Sequence, residues 1–110
     1  PTKEQEVAAA EEDEEFKDIV EQFIRNLPER ITQLRGFCED KDWEEVRKVA
    51  HQIKGIAGSL GYPVLTEKAK KLDLAIKKAL VEEYVDLLES VIEESERAIG
   101  AFHAKDAVNS

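Results

Sequence analysis

Apolar residues recur every three or four positions along most of the chain, the period of a helix that buries one face. The first stripe is Phe16, Ile19, Val20, Phe23, Leu27, Ile31, Leu34 and Cys38. Pro28 falls inside it, where it removes a backbone donor and crowds the preceding turn. That predicts either two short helices meeting near Asn26 or one kinked helix, and the unbroken apolar phase favours the kink. Glu39-Asp40-Lys41-Asp42 reads as a polar turn, with Asp42 as N-cap of a helix through Leu60. Its stripe is Val46, Val49, Ile53, Ala57 and Leu60. Gly61 stops that helix and Pro63 suits the first turn of the next. Leu65, Ala69, Leu72, Ile76 and Ala79 form the third stripe, and Val81, Val85, Leu88, Ile92, Ser95, Ile99 and Phe102 the fourth. Short connections make successive helices antiparallel neighbours. The pattern therefore predicts an all-α, antiparallel up-down four-helix bundle with an extra or kinked N-terminal helix. Residues 1–15, with the run Glu11-Glu12-Asp13-Glu14-Glu15, read as a partly ordered acidic segment, 16–105 as the bundle and 106–110 as a tail.

Composition narrows the class. A chain of 110 residues, 42% hydrophobic and 37% charged, is one small domain with a single core. No apolar run approaches the roughly 18 residues that span a bilayer, and no signal peptide is visible. The single cysteine, Cys38, has no internal partner and is in phase with Ile31 and Leu34. A small core residue in a reducing, cytoplasmic setting is expected. The net charge of −9 is unevenly spread: residues 46–80 hold eight Lys or Arg against two acids, which is +6, so the remainder carries −15. So acidic a chain is a poor ligand for nucleic acid. Its locally basic segment suits an acidic protein partner instead.

Within that segment the polar face around His51 departs from an ordinary solvated surface. At about 100° per residue His51 lies nearly opposite the apolar stripe, Gly55 and Gly58 fall within about 40° of it, and Arg47 and Lys54 flank it. A glycine inside a helix costs roughly 1 kcal/mol relative to alanine. Two on one exposed face clear side-chain bulk from around an imidazole. The arrangement suits a histidine that another macromolecule approaches closely. His103, the other histidine, has no such surroundings and reads as a surface residue. Two histidines and one cysteine at no ligand spacing give no metal site, and no phosphate loop or kinase motif is present.

His51, Ile53, Lys54, Gly55 and Gly61 match the signature of the histidine-containing phosphotransfer (HPt) domain family, a helix bearing His-x-(Leu/Ile)-Lys-Gly with a further glycine six residues on. Leu65, Ala69 and Leu72-Asp73 continue the resemblance, with aspartate at 73 where the family more often has glutamate. The resemblance implies a four-helix bundle that carries a phosphoryl group on His51 and has no cofactor and no catalytic machinery of its own. It casts Lys54, one turn along, as the cation that stabilises the phosphoryl oxygens. Arg47, Lys48, Gly55, Gly58 and Tyr62 would form the docking face. Gln52 and Asp73 are candidates for orienting the ring, as the glutamate does in some chemotaxis-kinase domains. The implied partners are response-regulator receiver domains, whose acidic pocket complements the basic segment, and a sensor histidine kinase. A monomer is expected, with no nucleic acid and no membrane insertion.

Three functions compete at this point. The first is a phosphorelay intermediate between receiver aspartates. The second is the phosphotransfer segment of a chemotaxis-type kinase, fed by an ATP-binding domain. The third is an adaptor bundle without chemistry, which the intact His51, Lys54 and Gly55 set disfavours.

Overall fold

The computed structural model describes the backbone of residues 3–109 and the side chains of residues 14–105. Four α-helices follow one another: α1 (Lys3–Glu39), α2 (Trp43–Leu60), α3 (Pro63–Lys77) and α4 (Tyr84–Asn109), with a single 3₁₀ turn at Val81–Glu83 before the last. Each helix packs on two neighbours, α1 on α2 and α4, and α3 on α2 and α4. This is the antiparallel four-helix bundle expected from the stripes. Its centre is filled by Leu27, Leu34, Val46, Ala50, Ile53, Ala57, Leu65, Ala69, Leu72 and Val91, with Leu88 and Ile92 also buried. Aromatic pairs sit at two places on the bundle, Trp43 on Tyr84 with ring centroids 5.0 Å apart and Phe23 on Tyr62 at 5.7 Å.

The helix ends follow their local chemistry. Asp42 caps α2, its carboxylate accepting from the Glu45 amide at 3.3 Å. Gly61 at φ 81° closes α2, where the Tyr62 amide returns to the Ala57 carbonyl at 3.0 Å. Pro63 opens α3. After α3 the same left-handed closure falls on Ala79, φ 57°, with the Leu80 amide on the Ala75 carbonyl at 2.9 Å. Ala79 therefore lies beyond α3 and exposed, not in its stripe; no glycine marks this stop.

Other expectations are corrected at the ends of elements. Pro28 lies inside a continuous α1, so the N-terminal region is one helix without an extra one, and the acidic run Glu11–Glu15 is part of it. Phe16 and Ile19 are exposed. At about 1.5 Å per residue α1 is about twice as long as α2, and its first turns pass beyond the end of α2. There Phe16 and Val20 line an open cleft with Tyr62, Ala98 and Phe102. Val81 and Val85 are also exposed, because the 3₁₀ turn resets the phase before α4. Tyr84 and Val91 take the core positions, and Ser95 is buried by donating to the Val91 carbonyl at 2.8 Å. Cys38 is half-buried and packs against the core. Among the described residues no helix is long and apolar enough to cross a membrane.

Ile53 has no exposed surface, so Ile53→Ala removes about 2–5 kcal/mol of stability. Gly61→Ala, strained at positive φ, removes about 1 kcal/mol. Urea unfolding of the two variants against the parent measures both losses, and a smaller loss for Ile53→Ala than for Gly61→Ala contradicts this packing.

Candidate functional site

The site lies where α2 and α3 run side by side. Four residues of α2, Arg47, Gln52, Lys54 and His51, were expected around it; α3 contributes Asp73 and Lys77. Asp73 follows Leu72 in α3 and is drawn in with it, so that its carboxylate is only 1% exposed. His51 reaches it from α2: Nδ1 stands 3.4 Å from Asp73 Oδ2, while the histidine side chain remains 57% exposed. The imidazole is thus tied along one edge and open elsewhere. Helical phase places His51 nearly opposite the α2 stripe, and it is exposed there, with its ring leaning on α3.

Three cations share the same carboxylate. Lys54 Nζ is 3.4 Å and Lys77 Nζ 3.5 Å from Oδ2, and Arg47 Nη1 is 3.7 Å from Oδ1. Oδ1 is buried without a hydrogen bond among the described residues. Arg47 is anchored at its other edge, where Nε donates to Glu44 at 3.1 Å; that hydrogen bond holds the Glu44 carboxyl below its ordinary value. Burial pushes the Asp73 carboxyl up, but the hydrogen bonds from His51 and Lys54 and the charges of Lys77 and Lys54 outweigh it, and the net shift is downward from 3.8. Asp73 is accordingly ionised at neutral pH and can only accept. A neutral His51 beside it carries its proton on Nδ1, leaving Nε2 with a free electron pair on the exposed ring.

The remaining candidates separate. Gln52 is turned toward α1, accepting from Arg30 Nη1 at 2.8 Å, and makes no hydrogen bond to His51. Arg47 is engaged with Glu44 and Asp73 instead of standing free on the surface, whereas Lys48 is exposed and bridges to Glu45 at 3.1 Å. A Cβ on Gly55 would meet nothing within 4 Å; one on Gly58 would touch Thr66 Cγ2 of α3 at 3.6 Å, an ordinary contact. Gly58 thus borders α3, and neither glycine is demanded by packing. Tyr62 is half-buried against Phe23, and burial raises its hydroxyl's pKa. Lys77 was not singled out from sequence, although it lies one turn from Asp73 on the same helix, and Arg47 stands one turn before His51. Both spacings placed them within reach.

The family model described as "Hpt domain" matches residues 18–104, which takes in all of the site. The chain belongs to the Hpt domain family, the histidine phosphotransfer modules of two-component signalling. Neither the comparison with curated proteins nor that with solved structures gave a match.

The depressed Asp73 titration has a defined sign. A carboxyl whose folded value is lowered contributes stability in full above its unfolded value of 3.8 and loses it as pH falls through the folded value. The parent is therefore expected to lose stability below about pH 4, and Asp73→Asn to be less stable at neutral pH but flatter across that range. Thermal melts of both proteins from pH 7 to pH 3 test this; parallel curves would remove Asp73 from the electrostatic account.

Proposed function

We propose that this domain carries a phosphoryl group on His51 Nε2, as a phosphorelay intermediate that accepts from one receiver-domain aspartate and donates to another. The observation that carries the reading is the imidazole held through Nδ1 by a buried carboxylate while the ring stays 57% exposed. The Nε2 electron pair attacks the phosphorus of an aspartyl phosphate. The N–P bond forms as the acyl O–P bond breaks, and the aspartate leaves with that electron pair. The Nδ1 proton stays in place, so the ring becomes cationic beside Asp73, whose negative charge favours that form. Transfer onward is the same exchange reversed. Lys54 is near enough in sequence to turn from Asp73 to the phosphoryl oxygens, a charge-assisted contact. The chain's own part is to hold and present the group. The partner provides the remaining catalysis, which makes this a carrier and not an enzyme in its own right.

Gly55 and Gly58 leave the approach to His51 clear, and the basic 46–80 segment attracts an acidic receiver. Lys48, exposed three residues before His51, extends this face, whereas Tyr62 packs on Phe23 of α1 and lines the cleft with α4. The Asp73 contact to His51 also favours a second reading, a segment fed directly by a kinase's ATP domain, because the resemblance places an acidic orienting residue there in some chemotaxis kinases. Incubation with a phosphorylated receiver domain or with a kinase ATP domain and ATP distinguishes the two by which donor labels the protein.

His51→Gln is expected to remain folded and take no acid-labile phosphate; label retained on His103 would overturn the assignment. Gly58→Gln is expected to keep the fold but slow transfer at least tenfold, since the reacting atoms must come within about 3–3.5 Å. A parental rate for Gly58→Gln would show that docking avoids this face.

A further inference from the structure

Asp73 Oδ2 takes two hydrogen bonds and a further ion pair, while Oδ1 has no hydrogen bond among the described residues. His51 Nδ1, Lys54 Nζ and Lys77 Nζ all converge on Oδ2, at 3.4, 3.4 and 3.5 Å. With Arg47 on the Oδ1 side and Glu44 balancing Arg47, three cations face two carboxylates. One positive charge is left over. The surplus bears on a difficulty in the transfer itself. If Lys54 turns to the phosphoryl oxygens, it leaves a carboxylate that is 1% exposed, and stripping a buried charge of its partner is strongly unfavourable. Until the ring gains its own charge on phosphorylation, Asp73 without a replacement would hold Lys54 back.

We propose that Lys77 is a positioning residue that keeps Asp73 paired when Lys54 moves from Oδ2 to the phosphoryl group on His51. Lys77 suits this part because it lies on α3, the helix that carries Asp73, one turn toward the C-terminus. That order of acid and lysine is the favourable one on a helix. Lys54 lies on α2 with His51, three residues along. The two lysines are therefore divided by helix: one stays with the carboxylate and the other follows the imidazole. Arg47 cannot take the same part alone, because it faces Oδ1 at 3.7 Å and is engaged by Glu44. The proposal rests on His51 being the phosphoryl acceptor.

Its test uses phosphoramidate as donor, so that no partner protein contributes. Here the His51 Nε2–P bond forms as the donor N–P bond breaks, and the departing nitrogen takes a proton from water to leave as ammonia. Phosphohistidine formation is followed by ³¹P NMR in the parent, Lys54→Met, Lys77→Met, the double variant and Lys77→Arg. Losing a hydrogen bond to a charged group makes Lys54→Met about tenfold to a hundredfold slower. Lys77→Met is expected to be slowed to a similar extent, because Asp73 then retains Lys54. In the double variant the two effects should not multiply: its rate stays within about twofold of the slower single variant. Lys77→Arg restores most of the rate. A parental rate for Lys77→Met, or a double variant slowed by the product of the single effects, overturns the proposal. Lys77 is half-exposed, and circular dichroism melts confirm that each variant is folded; Lys77→Gln replaces Lys77→Met if that variant does not fold. Parent protein that takes no label, or His51→Gln that still takes it, overturns the His51 reading and the Lys77 proposal together. Failure of the Lys77 pattern with normal His51 labelling overturns the second alone.

Discussion

Burying the Asp73 carboxylate between α2 and α3 obliges both helices to bring positive charge to it. An ionised group withdrawn from water is tolerated only when it is paired and hydrogen-bonded. Here the partners are Arg47, His51 and Lys54 from α2 and Lys77 from α3. The same requirement that sets these partners in place also ties down one edge of the imidazole. Leu72, the neighbour of Asp73 in α3, and Ile53, between His51 and Lys54 in α2, belong to the core. The orientation of the ring is thus linked to the packing of the bundle through the shortest possible stretches of chain.

The phosphate carrier we propose has to be ordered and open at once, and the two sides of the imidazole suit the two demands. Order comes from α3, whose carboxylate fixes which nitrogen bears the proton. Openness in that proposal comes from α2, where Gly55 and Gly58 carry no side chain beside the ring. Glycines at these positions weaken the helix intrinsically, and the capping of α2 by Asp42 and Gly61 works in the opposite direction.

Much of this could be read from the chain alone, and the rest follows a physical division. The α2 stripe, its caps and the outward histidine are local properties of one uninterrupted helix, and every apolar position assigned to that stripe is buried. Misassigned positions lie where a helix outruns its neighbours, at Phe16 and Ile19, or where an unmarked turn breaks the phase, at Ala79, Val81 and Val85. Ala79 takes a left-handed conformation without being glycine, so nothing in the residue type announces it. Within the site, Asp73 was legible as a candidate, but the convergence of Arg47 and Lys77 on it was not. Helical phase ranks residues on one helix; which face of α3 meets which face of α2 is set by packing across the whole bundle. Gln52 shows the same limit, since its neighbour His51 turns to α3 while it turns to Arg30 on α1.

The central claim, that Asp73 fixes the His51 proton on Nδ1 and frees Nε2 for the phosphoryl group, is tested most directly by ¹⁵N NMR of the histidine ring. Spectra of the ¹⁵N-histidine-labelled parent would be recorded near neutral pH, before and after phosphorylation. The account predicts that the neutral form of the His51 ring is protonated at Nδ1 and that, after phosphorylation, phosphorus is bonded to Nε2 with the Nδ1 proton retained. A neutral ring protonated at Nε2, or phosphorus found on Nδ1, would contradict it.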